Sequence, residues 1–425
     1  MMRRLIEITL GALLSLWALQ STASAQGAIS CPVKLGGILP LTGSMGPVGK
    51  RISDSAQLAV DHINQGGGVK GCQVQFILRD DQGQPAVGVD AAKYLIDVER
   101  VSALTGSVSS GVSLPILLSV VAPAKIPMVS CCSTAATFTT LAQEGKTGGF
   151  FFRTLPTVKT QAYVSALIAE EHGFKRIAVI YINTDFGTGM VKDFTRSVEK
   201  LGAKVVASVA YNDNQPSYRA EVNVALAEKP DAVFFVAFPQ DGATMTREWI
   251  SLGGTPNLIL NKSLRSPEYV KSVGSRQLQN AFGMDDASIA GPTVDAFKQS
   301  FQAAYKQSPD GPGIYNQYDA VMALGLAMNI APDLSGPAIR DAIRKIQVSD
   351  GSVVGTGPEE FKKALALIKE GKPIKYVGAT GPLVFDANGD VSGIALIWTV
   401  KGDNLETVRT LSTDDMKALF KKIDE

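Results

Sequence analysis

Short apolar runs alternate with stretches of helical spacing along almost the whole chain. The first run, residues 33–39, leads into a loop rich in Gly and Pro (40–49). A segment at 53–64 follows, whose apolar positions Ala56, Leu58, Ala59, Val60 and Ile63 suit a helix. A GGGVKG break precedes a second run at 74–78; residues 91–99 read as the next helix and 101–104 as the next strand. Strand, helix, strand, helix in this order predicts a parallel sheet covered on both faces.

The alternation restarts after Arg153-Thr154-Leu155-Pro156. Helices at 161–172, 190–201, 218–228 and 244–252 are interleaved with strands at 177–182, 205–210, 232–238 and 258–260. The fold class is therefore α/β, built from two doubly wound parallel-sheet units. Ligands of such sheets sit beyond the carboxyl ends of the strands, which singles out the loops Asn183-Thr184-Asp185-Phe186, Phe238-Pro239 and Asn261-Lys262.

The stretch from Thr105 to Thr134, TGSVSSGVSLPILLSVVAPAKIPMVSCCST, presents one arrangement twice. An apolar run (101–104, then 126–129) ends in small hydroxyl residues, and a helix-compatible segment follows. Ser109 and Ser110 stand before Gly111; Ser130, Ser133 and Thr134 stand before Ala135. Free backbone N–H groups at helix starts attract anions, so hydroxyls and amides together suit a carboxylate without a permanent positive charge. Serines here are also ordinary N-caps; their recurrence at adjacent strand ends is what favours a binding role.

The first 25 residues bear on where the chain works. Arg3 and Arg4, an apolar run to about Trp17 and the small-x-small site Ala23-Ser24-Ala25 mark an export segment cleaved after Ala25. A membrane anchor is the competing reading, but the run is shorter than the roughly 20 residues that span a bilayer. The expected product is an exported, periplasmic, monomeric protein of about 400 residues, long enough for two domains.

Hydrophobic residues make up 45% of the chain and charged ones 19%; the formal net charge is +1. Without a basic run, that balance argues against nucleic acid or anionic membrane as partners. Only His62 and His172 are present, and the four cysteines lack zinc-site spacing, so neither a metal nor another cofactor is expected. Cys31 and Cys72 each immediately precede an apolar strand. If those strands are parallel neighbours, their first residues lie about 5 Å apart, which predicts a Cys31–Cys72 disulfide in an exported protein. Cys131 and Cys132 are expected to be small buried thiols lining the site, not a vicinal disulfide. No GxSxG elbow is present and neither histidine ends a strand, so an enzyme is not expected.

The order of LPLTGSMGPVG, AVDHINQGGGVKG, SSGVSLP, SCCSTA, NTDFGTG and GATGPLVFDANGDV resembles the type I periplasmic binding proteins. The chain is most similar to the branched-chain amino acid and amide-binding group that serves ABC importers. The resemblance implies two lobes, 32–154 with 285–378 and 155–284 with 379–425, joined by three crossovers near 153–156, 283–286 and 378–383. A solute would be trapped between them and passed to an inner-membrane ABC permease; an exported sensor closing on its ligand in the same way is the alternative. DANGD at 386–390 lacks the spaced carboxylates of a calcium loop and reads as a turn.

Carried over from the family, Ser110 and Thr134 match the hydroxyls that hold the ligand carboxylate. Ser109, Cys132 and Ser133 line the same region, and Val48 stands where an apolar residue meets the ligand's side chain. Phe186 and Phe238 match aromatics that close over the ligand, although a core role is open to both. Amino acid binders of this family place an acid after the strand matching 258–260, where it pairs with the ligand's ammonium. This chain has Asn261-Lys262-Ser263-Leu264-Arg265 there. An ammonium buried beside Lys262 would be repelled. The expected ligand is thus a carboxylate without a neighbouring amine, such as an aromatic or 2-oxo acid. An aliphatic amino acid or amide is the alternative. Lys262 either grips the acid or points into solvent.

Overall fold

The computed structural model describes residues 30–425; the expected export segment, 1–25, lies outside the described residues. Strand β1 (Val33–Leu39) is buried at every position except the half-buried Lys34, as a parallel strand with helices on both faces must be. With β2 (Val74–Asp80), β3 (Ala103–Gly106), β4 (Met128–Ser130) and β5 (Phe151–Arg153) it forms a parallel sheet of order β2-β1-β3-β4-β5. The order reverses between β1 and β3, so a crevice opens beyond their carboxyl ends.

The second sheet repeats this plan. Strands β6 (Arg176–Ile182), β7 (Lys204–Tyr211), β8 (Ala232–Val236), β9 (Leu258–Leu260) and β10 (Ala281–Ala287) are parallel in the order β7-β6-β8-β9-β10. Its switch point lies between β6 and β8. A small parallel pair, β11 (Ser352–Val354) and β12 (Ile374–Tyr376), stands apart. The chain then returns along β10 as the antiparallel β13 (Ile394–Lys401), and β14 (Asn404–Leu411) covers the edge.

Register explains the first disulfide. Val33 pairs with Val74, which holds Cys31 and Cys72 with their Cα atoms 5.3 Å apart and joined as a disulfide. The first helix, Gly46–Gln65, starts earlier than the apolar spacing predicts because Pro47 occupies its opening turn, where a missing N–H is harmless. The helix Ile314–Ile330 is buried on almost every side between sheet one and its neighbours, which its apolar composition requires. Its one acid, Asp319, accepts bonds from the Tyr376 hydroxyl and from the N–H groups of Ala379 and Thr380, 2.7–2.8 Å long. Burial still pushes that carboxyl up to about 6, with the Thr380 bonds pulling it back.

Leu383, Phe385 and Val391 pack into the core of the first sheet, so the chain re-enters the second sheet only at Ile394, later than the expected crossover at 378–383. The DANGD turn carries this detour. Asp386 accepts the N–H groups of Asn388 and Asp390, and Asp390 accepts from the fully buried Arg153 at 2.6 Å. Arg153 also donates to the carbonyls of Ser133 and Ala135, so the turn braces the second hydroxyl loop.

Candidate functional site

The two switch points face each other. From sheet one, the loop after β3 places Ser109 at the start of the helix Ser110–Ile116, extended and without a side-chain capping bond. The ordinary N-cap role is therefore not the one Ser109 performs. The Ser110 hydroxyl accepts the Ala135 N–H at 3.2 Å, which ties the first hydroxyl loop to the second. Thr134, 1% exposed, lends its carbonyl to the Val158 N–H at 2.8 Å.

Behind these residues lies a closed network. The Ser130 hydroxyl donates to the Ser107 carbonyl and accepts from the N–H groups of Cys132 and Ser133. Ser133 donates to the same carbonyl and bonds the Ser113 hydroxyl at 2.7 Å. Ser107 in turn donates to Asp81, whose carboxyl burial raises to about 6 against the pull of that bond. Ser133, expected among the ligand contacts, is thus spent internally and does not line the pocket. Each loop divides its hydroxyls between scaffold and pocket.

The cysteines of the second loop correct a further expectation. Cys131 and Cys132 are not separate thiols; they are joined to each other as a vicinal disulfide. The turn after β4 brings the two side chains together, with Cys131 in the core and Cys132 on the pocket wall.

From sheet two, Phe186 sits in the first turn of the helix Asp185–Lys200, whose N-cap Thr184 accepts the Gly187 N–H. Phe238 is the N-cap of the helix Pro239–Ser251. Their rings stand 6.4 Å apart at 20° to each other, an offset stack within the usual range for aromatic pairs. Val48, Ser109, Ser110, Cys132, Thr134, Phe186, Phe238 and Lys262 line one cavity between the sheets, about 500 Å³ with its open mouth included. Met45 crosses from the first lobe into the core of the second, so the lobes touch beside it.

Lys262 is 4% exposed and does not point into solvent. Nor is it free: its Nζ lies 2.5 Å from Asp286 of β10. Beside this pair, Arg265 meets Asp285 at 3.2 Å. Burial pushes the Asp285 carboxyl up, while Arg265 and Lys262 favour its charged form. Two cations and two carboxylates form a neutral quartet between this cavity, which Lys262 lines, and a second one lined by Arg265, Asp285 and Asp286. Sequence reasoning correctly finds no acid after β9, but it misses that the next strand supplies two.

It also misses Gln161. This residue lies in the helix Val158–Glu171, is 1% exposed and lines the cavity. Among the described residues neither its amide oxygen nor its amide nitrogen has a protein partner. Helical periodicity places it on a buried face, and a polar residue there is the only signal the sequence offers.

The family model described as "Periplasmic binding protein" matches residues 32–364. BasB of Halobacterium salinarum, a chemotactic signal transduction system substrate-binding protein, is 28% identical over 357 residues, 82% of this chain and 82% of that protein. Among solved structures, the leucine-binding protein LivK of Thermotoga maritima has a TM-score of 0.76 at 23% identity, covering 90% of this chain and 99% of that one. A solute-binding protein of an ABC transporter from R. palustris, in complex with benzoate, has a TM-score of 0.71 at 19% identity over 89% and 96% of the two chains.

Proposed function

The chain belongs to the periplasmic binding protein family, and from that premise we propose that it captures a small organic carboxylate between its two lobes and delivers it to an inner-membrane ABC permease. Members of this family are solute-binding proteins, not enzymes. The reading takes the chain as exported, with cleavage after Ala25. It takes the lobes as 32–154 with 285 to about 391, and 155–284 with 394–425; the three crossings between them act as the hinge.

The observation that carries this reading is one cavity with hydroxyls on one side and aromatic rings on the other. Ser109, Ser110 and Thr134 come from the first sheet's strand ends, Phe186 and Phe238 from the second's. Closure would enclose an anionic head against the hydroxyls and an apolar body against the rings. Three or four hydrogen bonds to a charged group at roughly 1.5–3 kcal/mol each, with burial of an apolar body against the rings, give a gross figure of about 10 kcal/mol before ordering costs, against the roughly 8 kcal/mol of micromolar binding.

No Asp or Glu is among the described residues lining the cavity, and the one cation there is balanced from behind by Asp286. An amino acid's ammonium would find no counter-charge, which favours an acid without an amine. The benzoate held by the R. palustris protein is a fact about that protein; it makes an aromatic acid the natural first probe. Isothermal titration of residues 26–425 with benzoate, 2-oxo acids, leucine and isobutyramide tests the reading. Binding confined to leucine would refute the choice of ligand class. Delivery to a chemoreceptor is a second reading, favoured by the likeness to BasB; loss of chemotaxis with uptake intact in a deletion strain would decide for it.

A further inference from the structure

We propose that Gln161 is a specificity-determining contact that requires the ligand to carry a hydroxyl as well as a carboxylate. This rests on the reading of the cavity as a carboxylate site and goes on to say which carboxylates it selects. The helix bearing Gln161 begins against the second hydroxyl loop: the N–H of Val158, one turn earlier, bonds the Thr134 carbonyl at 2.8 Å. The side chain lines the same cavity as the hydroxyls of Ser109, Ser110 and Thr134.

A primary amide offers two N–H donors and an oxygen with two lone pairs. At 1% exposure, with both ends lacking a protein partner among the described residues, it carries an unmet demand in a setting where such demands are costly. A carboxylate can only accept, so it answers the N–H groups and leaves the oxygen wanting a donor. Turning the amide over exchanges the two ends without removing either need.

Three donors could answer the oxygen. An ammonium would share with Lys262 a cavity lined by no Asp or Glu among the described residues; Asp286, which engages Lys262 through one oxygen, is not among the residues lining it. A trapped water gives no preference among ligands. A hydroxyl donates while remaining neutral, and it can also accept. A 2-oxo acid, which has only acceptors, fits this wall less well than the corresponding 2-hydroxy acid.

The test is isothermal titration of residues 26–425 with matched acids. Isovalerate, 2-hydroxyisovalerate and valine carry hydrogen, hydroxyl and ammonium on one carbon; benzoate is compared with its monohydroxy derivatives. At least one hydroxy acid should bind about tenfold or more tightly than its hydrogen counterpart, and that ratio should fall towards one in Gln161→Met. Thermal unfolding checks that the variant is folded, with Gln161→Leu as a second apolar replacement. Ratios near one in the native chain, a hydroxyl preference that survives both replacements, or tightest binding by valine would each overturn the inference and leave the carboxylate site standing. If none of these acids binds, the underlying reading of the cavity falls instead.

Discussion

Replacing Asp286 with asparagine separates a carboxylate pocket from an amino acid pocket. The side chains of Lys262 and Asp286 are 5% and 10% exposed and meet at 2.5 Å. Asparagine keeps the size and one acceptor oxygen but turns the neutral quartet of Lys262, Arg265, Asp285 and Asp286 into a wall of charge +1. Breaking a buried pair costs about 3–5 kcal/mol. Since this one borders a cavity and retains a hydrogen bond, about 2–3 kcal/mol of lost stability in the unliganded protein is expected.

Binding should respond in the opposite direction. A ligand carboxylate about 4 Å from the Lys262 ammonium gains roughly 4 kcal/mol at an effective dielectric near 20, and Asp286 about 6–7 Å away returns over half of that by repulsion. Removing Asp286 therefore leaves about 2.5 kcal/mol more attraction, an affinity gain of about seventyfold for benzoate. Urea unfolding of the unliganded variant and calorimetric titration measure the two effects, and the gain should shrink with added salt. A loss of affinity for simple acids, or tighter binding without any loss of stability, would refute the electrostatic argument.

Three further outcomes are expected. Ser110→Ala and Thr134→Val should each weaken acid binding about tenfold to a hundredfold, whereas Ser133→Ala should lower stability by about 1–3 kcal/mol with little change in affinity; titration and thermal unfolding tell them apart. Asp390→Ala strands the fully buried Arg153 and should cost about 3–5 kcal/mol in urea unfolding, part of it recovered in Arg153→Met/Asp390→Leu. Burial lowers the His62 imidazole to about 4, and its Nδ1 lies 2.8 Å from the Tyr318 hydroxyl. The unfolded chain, with an imidazole near 6.5, binds the proton first as pH falls. Stability present above pH 6.5 is thus lost towards pH 4, by up to about 3 kcal/mol. His62→Gln should flatten that part of the pH–stability curve, and an unchanged curve would exclude His62 as its source.

The fold was legible because parallel strands in a doubly wound sheet are buried on both faces and read as short apolar runs whatever their partners. Val33–Leu39, Arg176–Ile182 and Ala232–Val236 all announce themselves in this way. What escaped was structure whose signal is weaker. Strand β14 alternates Glu, Arg and Thr on an exposed edge, so no apolar run marks it. The final helix, Thr413–Asp424, does carry a mark, since Ser412 and Asp415 form a capping box. The late third crossover has a different cause: Leu383, Phe385 and Val391 are apolar enough for either core, and contacts such as Arg153 to Asp390 and Arg344 to the Asp386 and Ala387 carbonyls fix which one they join.

The site divides along the same line. Positions at strand ends follow from topology, so Ser110, Thr134, Phe186 and Phe238 could be placed in one cavity from their order along the chain. Their partners could not. Whether a serine faces the cavity or its own scaffold is set by its hydrogen bonds: Ser110 accepts one N–H and still lines the cavity, whereas Ser133 bonds both Ser107 and Ser113. The cavity's charge depends on an aspartate 24 residues beyond Lys262, brought beside it because β9 and β10 are paired in the sheet. On the proposed reading, specificity therefore resides less in the strand-end motifs than in Asp286 and Gln161. Neither stands in a motif: Asp286 acts through Lys262, and Gln161, whose amide has no protein partner among the described residues, faces the cavity itself.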